Sequence, residues 1–388
     1  RGVSIRAIFE TDNANTNAIR TVRNNLPAIV DNFDRINAGT GLMHNKFVVI
    51  DARDRSSDTD DWVLMGSWNP TDPGTDSDAQ NVLEIQDQAL ALAYTREFEE
   101  MWGSDTEMPN SAASRFGARK TDNTPHVFSI GAGDIPVDLY FSPSDQTTRI
   151  ILREIERAQH SLYFATLTFT RDDLARALAD RHDAGLSVRG VMDNSSDQGS
   201  EFAYLQSAGV DVLLKKGFSG LLHHKYLIVD ADAGDAPGVV TGSHNWSNSA
   251  EFSNNENTIV VRDRRIAQQY LQEWFTRYRE AGGSAVIVLG VDDVSVLPEG
   301  VTATLYPNPL SAGTQAAVRV SGRETGIREI MLFDMLGRQL YRRSENTSAF
   351  AAGNILLPTA GLAPGSYMLL LRTVEGRQRA LRFVVVPR

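Results

Sequence analysis

"LMHNKFVVID", residues 42–51, and "LLHHKYLIVD", residues 221–230, share one construction: a leucine, a histidine, one spacer, a lysine, an apolar run and an aspartate. Side chains two apart on a strand point the same way, so His44 shares a face with Lys46 and His223 with Lys225. The apolar residues fill the opposite face and the inner end of each strand. The chain has only five lysines, and two of them stand at this spacing.

The repeat extends outward from the histidines. Upstream, "GVSIRAIFE" (2–10) matches "GLSVRGVMD" (185–193), both reading as short buried strands. Downstream, "VLMGSWNPT" (63–71) matches "VVTGSHNWS" (239–247), a strand running into a turn. Gln80 follows Gly66, and Glu256 follows Gly242, at the same fourteen-residue offset. Each copy closes on an amphipathic helical segment, "ALALAYTREFEEMW" and "RRIAQQYLQEWFTRY". The second copy is preceded by "VDLYFSPSD", "TTRIILREIERAQ", "SLYFATLTFT" and "RDDLARALADRHDAG", which read strand, helix, strand, helix. The first copy lacks these elements. Its front is expected to be truncated, and the absence of an initiating methionine points to a chain start inside the gene.

This order predicts an α/β fold of two mixed-sheet units packed as a pseudo-dimer. The units are expected at 1–102 and 134–282, joined by a polar linker over 103–133. A second linker over 283–302 leads to residues 303–388, whose short apolar runs between Gly, Pro and Asn turns predict an all-β sandwich.

Composition sets limits. Hydrophobic residues make up 41% of the 388 and charged residues 22%, the balance of a globular protein. No apolar run is long enough to span a bilayer as a helix. With no cysteine, disulfides, thiolate nucleophiles and cysteine-type zinc sites are excluded. Residues 303–388 carry eleven arginines, no lysine and five acids, so the net charge of −11 leaves −17 on residues 1–302. That field repels polyanions at long range and weighs against non-specific nucleic-acid binding.

The pattern H-x-K-x4-D followed by G-S-x-N, present twice, resembles the phospholipase D superfamily over most of residues 1–280. One His-x-Lys alone is ordinarily a solvated strand edge; the doubled pattern with equal offsets is specific. The resemblance implies hydrolysis of a phosphodiester without metal or cofactor. Lys46, Lys225, Asn69 and Asn245 would clamp the phosphate oxygens, with Ser67, Ser243 and Gln80 also contacting substrate. One imidazole would attack phosphorus and form a phosphohistidine, and the other would protonate the leaving oxygen. In such relatives the residue at position 80 or 256 orients the histidine of its own motif. His223 beside Glu256 is then expected as general acid, and His44 beside Gln80 as nucleophile. The Gln-then-Glu arrangement resembles tyrosyl-DNA phosphodiesterases. Asp51 and Asp230 are expected to hold the scaffold, His224 to pack on the opposite face, and His244 to lie at the rim or away from the site. His126, His160 and His182 read as ordinary surface residues.

"TLYPNPLSAGTQ" (304–315), "IMLFDMLGRQL" (330–340) and "LAPGSYMLLLRTVEGRQRALRFVVV" (362–386) resemble the C-terminal sorting domain of type IX secretion cargo. That resemblance implies export across the outer membrane by the type IX machinery; a generic surface-contact sandwich is the alternative. For the catalytic body, a phospholipid headgroup bond is the expected substrate, with nucleic acid second. A binding module with an inactive pair is the third reading, supported by Gln80 standing where a carboxylate is usual.

Overall fold

Residues 3–284 form a mixture of strands and helices in the computed structural model. It describes residues 3–31, 41–54, 56–131, 135–232, 236–284, 302–321, 327–334, 339–344, 353–374 and 378–386. The first half contributes β1 (Ala7–Phe9), α1 (Asn17–Asn25), β2 (Ala28–Val30), β3 (Phe47–Ile50), β4 (Trp62–Gly66), α2 (Asp72–Asp76), β5 (Val82–Gln86) and α3 (Gln88–Trp102). After a connecting segment come β6 (Val127–Ile130), β7 (Ile135–Ser142), α4 (Thr147–Arg157), β8 (Ser161–Thr166) and α5 (Asp172–Asp183). The second half closes with β9 (Ser187–Met192), α6 (Phe202–Ser207), β10 (Asp211–Leu214), β11 (Lys225–Val229), β12 (Gly238–Gly242), α7 (Asn248–Phe252), β13 (Glu256–Val261) and α8 (Arg264–Glu280).

Eight strands form one mixed sheet in the order β10–β9–β8–β11–β12–β13–β7–β6. β8, β9 and β10 run parallel and the remaining pairs antiparallel. A sheet covered on both faces must be apolar throughout, and β8, β11, β12 and β13 are buried at every position. On one face, Ile151, Leu174, Leu178 and Leu205 from α4, α5 and α6 pack against Leu162, Phe164, Leu227 and Val229. On the other, Leu271 and Trp274 of α8 join Val63, Met65, Leu90 and Tyr94 of the first half. Trp274 is fully buried, and its Nε1–H donates to the Phe164 carbonyl at 2.8 Å. Its truncation to alanine is expected to cost about 3–5 kcal/mol.

The first half repeats the second in part. β3, β4 and β5 form an antiparallel three-stranded sheet, as β11, β12 and β13 do. β1 and β2 pair in parallel, as β9 and β10 do, but as a separate two-stranded sheet. α3 begins where the Asp87 carboxylate accepts the Leu90 N–H at 2.8 Å and stops at Gly103 in the left-handed conformation. Asp263 caps α8 in the same way.

Residues 103–133, expected as a polar linker, are instead partly built into the unit. Phe116 packs with Ile29, Met101 and Trp102. Lys120 is buried, ion-paired to Glu97 on α3, and donates to the Ser142 carbonyl at the end of β7 at 2.8 Å. β6 lies inside this stretch and pairs with β7. Residues 1–289 accordingly form one compact unit rather than two, and residues 290–388 a second.

The second unit is a β-sandwich. Its strands are β14 (Thr302–Tyr306), β15 (Leu310–Ser311), β16 (Ala317–Ser321), β17 (Ile327–Asp334), β18 (Gln339–Ser344), β19 (Gly353–Leu356), β20 (Gly365–Thr373) and β21 (Gln378–Val386). They form sheets β14–β16–β19 and β15–β21–β20–β17–β18. Val318, Ile330, Leu332, Leu369, Leu371 and Phe383 fill the space between them. Tyr367 stacks on Phe383 and donates its hydroxyl to the Ala363 carbonyl at 2.8 Å. Most of the expected linker 283–302, and Met335–Arg338 of the Asp-x-x-Gly-Arg motif, lie outside the described residues.

Candidate active site

Two short parallel bridges, Met43 with Asn255 and Ala79 with Leu222, join the halves in matching fashion. The His44 N–H donates to the Asn255 carbonyl at 3.0 Å, and the His223 N–H to the Ala79 carbonyl at 2.9 Å. Each histidine thus enters its strand hydrogen-bonded to the residue preceding the other half's polar position. Because backbone bonds fix strand position to a fraction of an ångström, this swap decides which side chains meet.

The orienting residues therefore cross between halves. His44 Nδ1 lies 2.7 Å from Glu256 Oε2, while His223 Nδ1 lies 2.9 Å from both Gln80 Oε1 and the Ser67 carbonyl. The expectation that each orients the histidine of its own motif, Gln80 with His44 and Glu256 with His223, is overturned. Carboxylate, amide and carbonyl oxygens all accept, so both Nδ1 atoms carry the proton and both Nε2 atoms are free for chemistry. Gln80 is also not a substrate contact: Oε1 accepts from the Asn69 N–H at 3.1 Å, and Nε2 donates to the Gly74 carbonyl at 2.7 Å.

The same crossing sets the electrostatics. Burial pushes His44 below its ordinary value, with Lys46 and Lys225 adding to the fall and Glu256 opposing it. His223 is driven down to about 2 by burial, then by Lys225, Lys46 and His44. Burial alone would raise the Glu256 carboxyl, but His44 and Lys46 outweigh it and hold it at about 2. Burial lowers the Lys46 ammonium to about 8. Lys225 lies well below its ordinary value through burial and the Lys46 charge. Two imidazoles and two amines from opposite halves thus share one electropositive centre, which an anion would relieve.

Lys46 Nζ and Lys225 Nζ each donate to the carbonyl of the histidine two residues earlier, at 2.8 Å in both copies. Asn69 and Asn245 are half-buried, and Asn245 Oδ1 has no hydrogen-bond partner among the described residues. Ser67 and Ser243, expected to touch substrate, lie fully buried behind the rings. Ser67 Oγ donates to Asn81 Oδ1 at 3.1 Å, and Ser243 Oγ to Glu256 Oε2 at 2.7 Å. The glycines before them, Gly66 and Gly242, both have φ of 155°, and a Cβ at either would strike the carbonyl of Asn81 or Asn257. Only glycine lets these strands approach closely enough to set the serine.

Asp51 and Asp230 share the left-handed conformation, at φ of 60° and 50°. The Asp230 carboxylate accepts the N–H groups of Gln159, His160 and Ser161 at 2.8–2.9 Å and so fixes the start of β8. Asp51 is exposed. His224 faces away from the centre, fully buried, with Nδ1 3.1 Å from Asn81 Oδ1 and Nε2 3.1 Å from Glu273. His244 is buried beside Glu251 rather than lying on the rim.

Two acids escaped the sequence reading. Glu10 Oε2 accepts the Met43 N–H at 2.6 Å, and Asp193 Oδ1 accepts the Leu222 N–H at 2.7 Å. Each pins the residue before its histidine. The signal was present, since both "GVSIRAIFE" and "GLSVRGVMD" end on an acid at the same repeat position.

Paired imidazoles with free Nε2 atoms, flanked by buried amines, define a phosphodiester hydrolase. The chain belongs to the phospholipase D-like family: the family model described as "Cardiolipin synthase, PLD-like domain" matches residues 1–102 and 151–278. It is 34% identical over 143 residues to "Phospholipase D" of Rickettsia prowazekii (strain Madrid E), covering 36% of this chain and 67% of that one. It is 37% identical over 139 residues to "Mitochondrial cardiolipin hydrolase" of Xenopus tropicalis, covering 35% and 63%. The chain thus spans about two thirds of the length of these relatives. Among solved structures, the phospholipase D family member Nuc from Salmonella typhimurium matches at 27% identity and a TM-score of 0.34, over 38% of this chain and 96% of that one.

Proposed function

We propose that the chain is an exported phospholipase D-type enzyme that cleaves a phospholipid headgroup bond through a phosphohistidine. The crossed histidine pairs carry this reading. The nucleophile becomes a cationic phosphoimidazolium, and a buried carboxylate on Nδ1 stabilises that charge; this assigns attack to His44 Nε2, backed by Glu256. The acid must give its proton away, and His223, held by a neutral amide among cations, releases one readily once the bound anion has allowed it to protonate. The roles match those expected from the sequence, but for the opposite reason. Attack by His44 on phosphorus breaks the ester bond as His223 protonates the leaving oxygen. Water, deprotonated by His223, then displaces the phosphate from His44. Lys46, Lys225, Asn69 and Asn245 hold the oxygens, and no step draws on a metal.

Leu42 and Leu221, each two residues before its histidine, are 40% and 42% exposed and support a lipid substrate. The names of the relatives quoted above and the −17 charge of residues 1–302 do the same. The test incubates full-length protein with phosphatidylcholine or cardiolipin vesicles and, separately, with plasmid DNA. Headgroup release without nicking is expected; nicking alone would assign a nuclease, and neither would assign an inactive binding module. Leu42→Ser/Leu221→Ser is expected to slow turnover on vesicles several-fold and leave a soluble short-chain ester unaffected.

The export proposal rests on the ordered motifs Tyr-Pro-Asn-Pro at 306–309, Asp-x-x-Gly-Arg at 334–338 and Pro-Gly-x-Tyr at 364–367. They read as an address for type IX secretion machinery. Fusing residues 303–388 to a periplasmic reporter in a type IX-competent host is expected to send it to the medium or cell surface. Retention in the periplasm would refute the address.

A further inference from the structure

The segment that joins the halves carries a cluster unrelated to the phosphate chemistry. One ligand atom from each of Asp122, His126 and Asp145 lies within 4.8 Å of the other two. His126 is fixed as metal-binding histidines are: its Nδ1 lies 2.9 Å from the Leu139 carbonyl, and its ring stacks on Tyr140 at 4.7 Å and 20°. A carbonyl only accepts, so Nδ1 holds a proton, and Nε2 is the ring atom turned to the cluster, 3.1 Å from Asp122 Oδ1. A positive centre holds these two atoms at that range, either a proton on Nε2 or a cation in its place.

Asp145 supplies the second, independent observation. It is 7% exposed; its Oδ2 accepts the Phe141 N–H at 2.7 Å, and its Oδ1 has no hydrogen-bond partner. Burial raises the Asp145 carboxyl, and the adjacent Ser144 hydroxyl, which lowers it, donates to the Phe141 carbonyl at 3.1 Å. A buried carboxylate oxygen left in this way is costly, and a proton on His126 would satisfy Asp122 without reaching it. A divalent cation satisfies all three groups together.

We propose that Asp122, His126 and Asp145 form a structural zinc site that ties the connecting segment to the turn between β7 and α4. One imidazole and two carboxylates suit zinc, with water as fourth ligand; calcium would demand six to eight oxygens. Zinc ligands about 2 Å from the metal stand a little over ~3 Å from one another. Asp122 and His126 are already at that range and must shift together toward Asp145 by up to about 1.5 Å, which the half-exposed Asp122 side chain and the partly exposed His126 ring can allow. Lys120, two residues ahead, already links Glu97 of the first half to Ser142 of the second. Zinc would fasten the same segment a second time.

The test uses the full chain, stripped with EDTA, reloaded with zinc chloride and passed through a desalting column. Elemental analysis is expected to find one zinc per chain, and zinc to raise the melting transition by several degrees over EDTA. Asp122→Asn and His126→Gln are each expected to abolish both effects while folding normally by circular dichroism. At a temperature below both transitions, turnover of the wild-type chain should agree within about twofold with and without zinc, as a structural site requires. Zinc retained by His126→Gln, a melting transition indifferent to zinc, or turnover abolished by EDTA at that temperature would each overturn the proposal.

Discussion

His44 and His223 stand at equivalent points of a repeated backbone, yet one faces a carboxylate from the opposite half and the other a carboxamide. Three sets of surrounding hydrogen bonds are matched: the bridging N–H groups, the lysine-to-carbonyl bonds and the acids on Met43 and Leu222 recur within 0.1 Å. The difference at positions 80 and 256 is therefore chemical rather than architectural. A single oxygen-for-nitrogen exchange separates a ring suited to carry positive charge from one suited to lose it.

The hardest blow to this asymmetry is His44→Ala, expected to lower kcat at least about 10⁴-fold and abolish acid-quenched phosphoenzyme. Covalent phosphate surviving on that variant would reverse the two roles. Glu256→Gln makes the two partners alike. A roughly hundredfold slower first step is expected, because the phosphoimidazolium loses its counter-charge; rapid-quench kinetics reads this directly. Gln80→Glu makes them alike in the other direction, raising the proton affinity of His223 and weakening it as acid. About a tenfold loss is expected, with the limb of the pH–rate profile assigned to His223 moved upward.

The Lys46 ammonium, at about 8 in the free protein, is charged below that pH and neutral above it. Since the phosphate clamp needs the charged form, kcat/KM is expected to fall as pH rises through about 8. Lys46→Arg should remove that limb because a guanidinium does not titrate there. The smallest contrast is structural. Asp230→Ala leaves three N–H groups of Gln159, His160 and Ser161 without their acceptor and should cost about 3 kcal/mol in urea unfolding. Asp51→Ala, at an exposed carboxylate held in the left-handed conformation, should cost about 1 kcal/mol, the backbone penalty alone.

Much of this was legible in the chain. The repeat placed both histidines, both glycine-serine turns and both closing helices, because strand period, helix amphipathicity and equal offsets are local properties. The crossing was not legible. Glu256 lies 212 residues from His44, and bonds between the halves, the bridges Met43–Asn255 and Ala79–Leu222 among them, decide which half supplies each partner. Spacing gives the offset within a copy but is silent on exchange between copies. The serines were misjudged for a related reason: a hydroxyl beside a catalytic loop can face substrate or scaffold, and here Asn81 and Glu256 are in reach from behind. The segment 103–133 looked like a tether because it is rich in small polar residues, yet Phe116 and Lys120 are enough to anchor it.

The crossed partnership gives covalent fusion of the halves a purpose. An assembly of two identical copies must place the same residue beside both imidazoles, so its rings can be distinguished only by whatever binds them. Joining unlike copies in one polypeptide guarantees one of each and lets a carboxylate stand at one ring and a carboxamide at the other permanently. The division of labour is then inherited with the gene instead of being chosen afresh at every turnover.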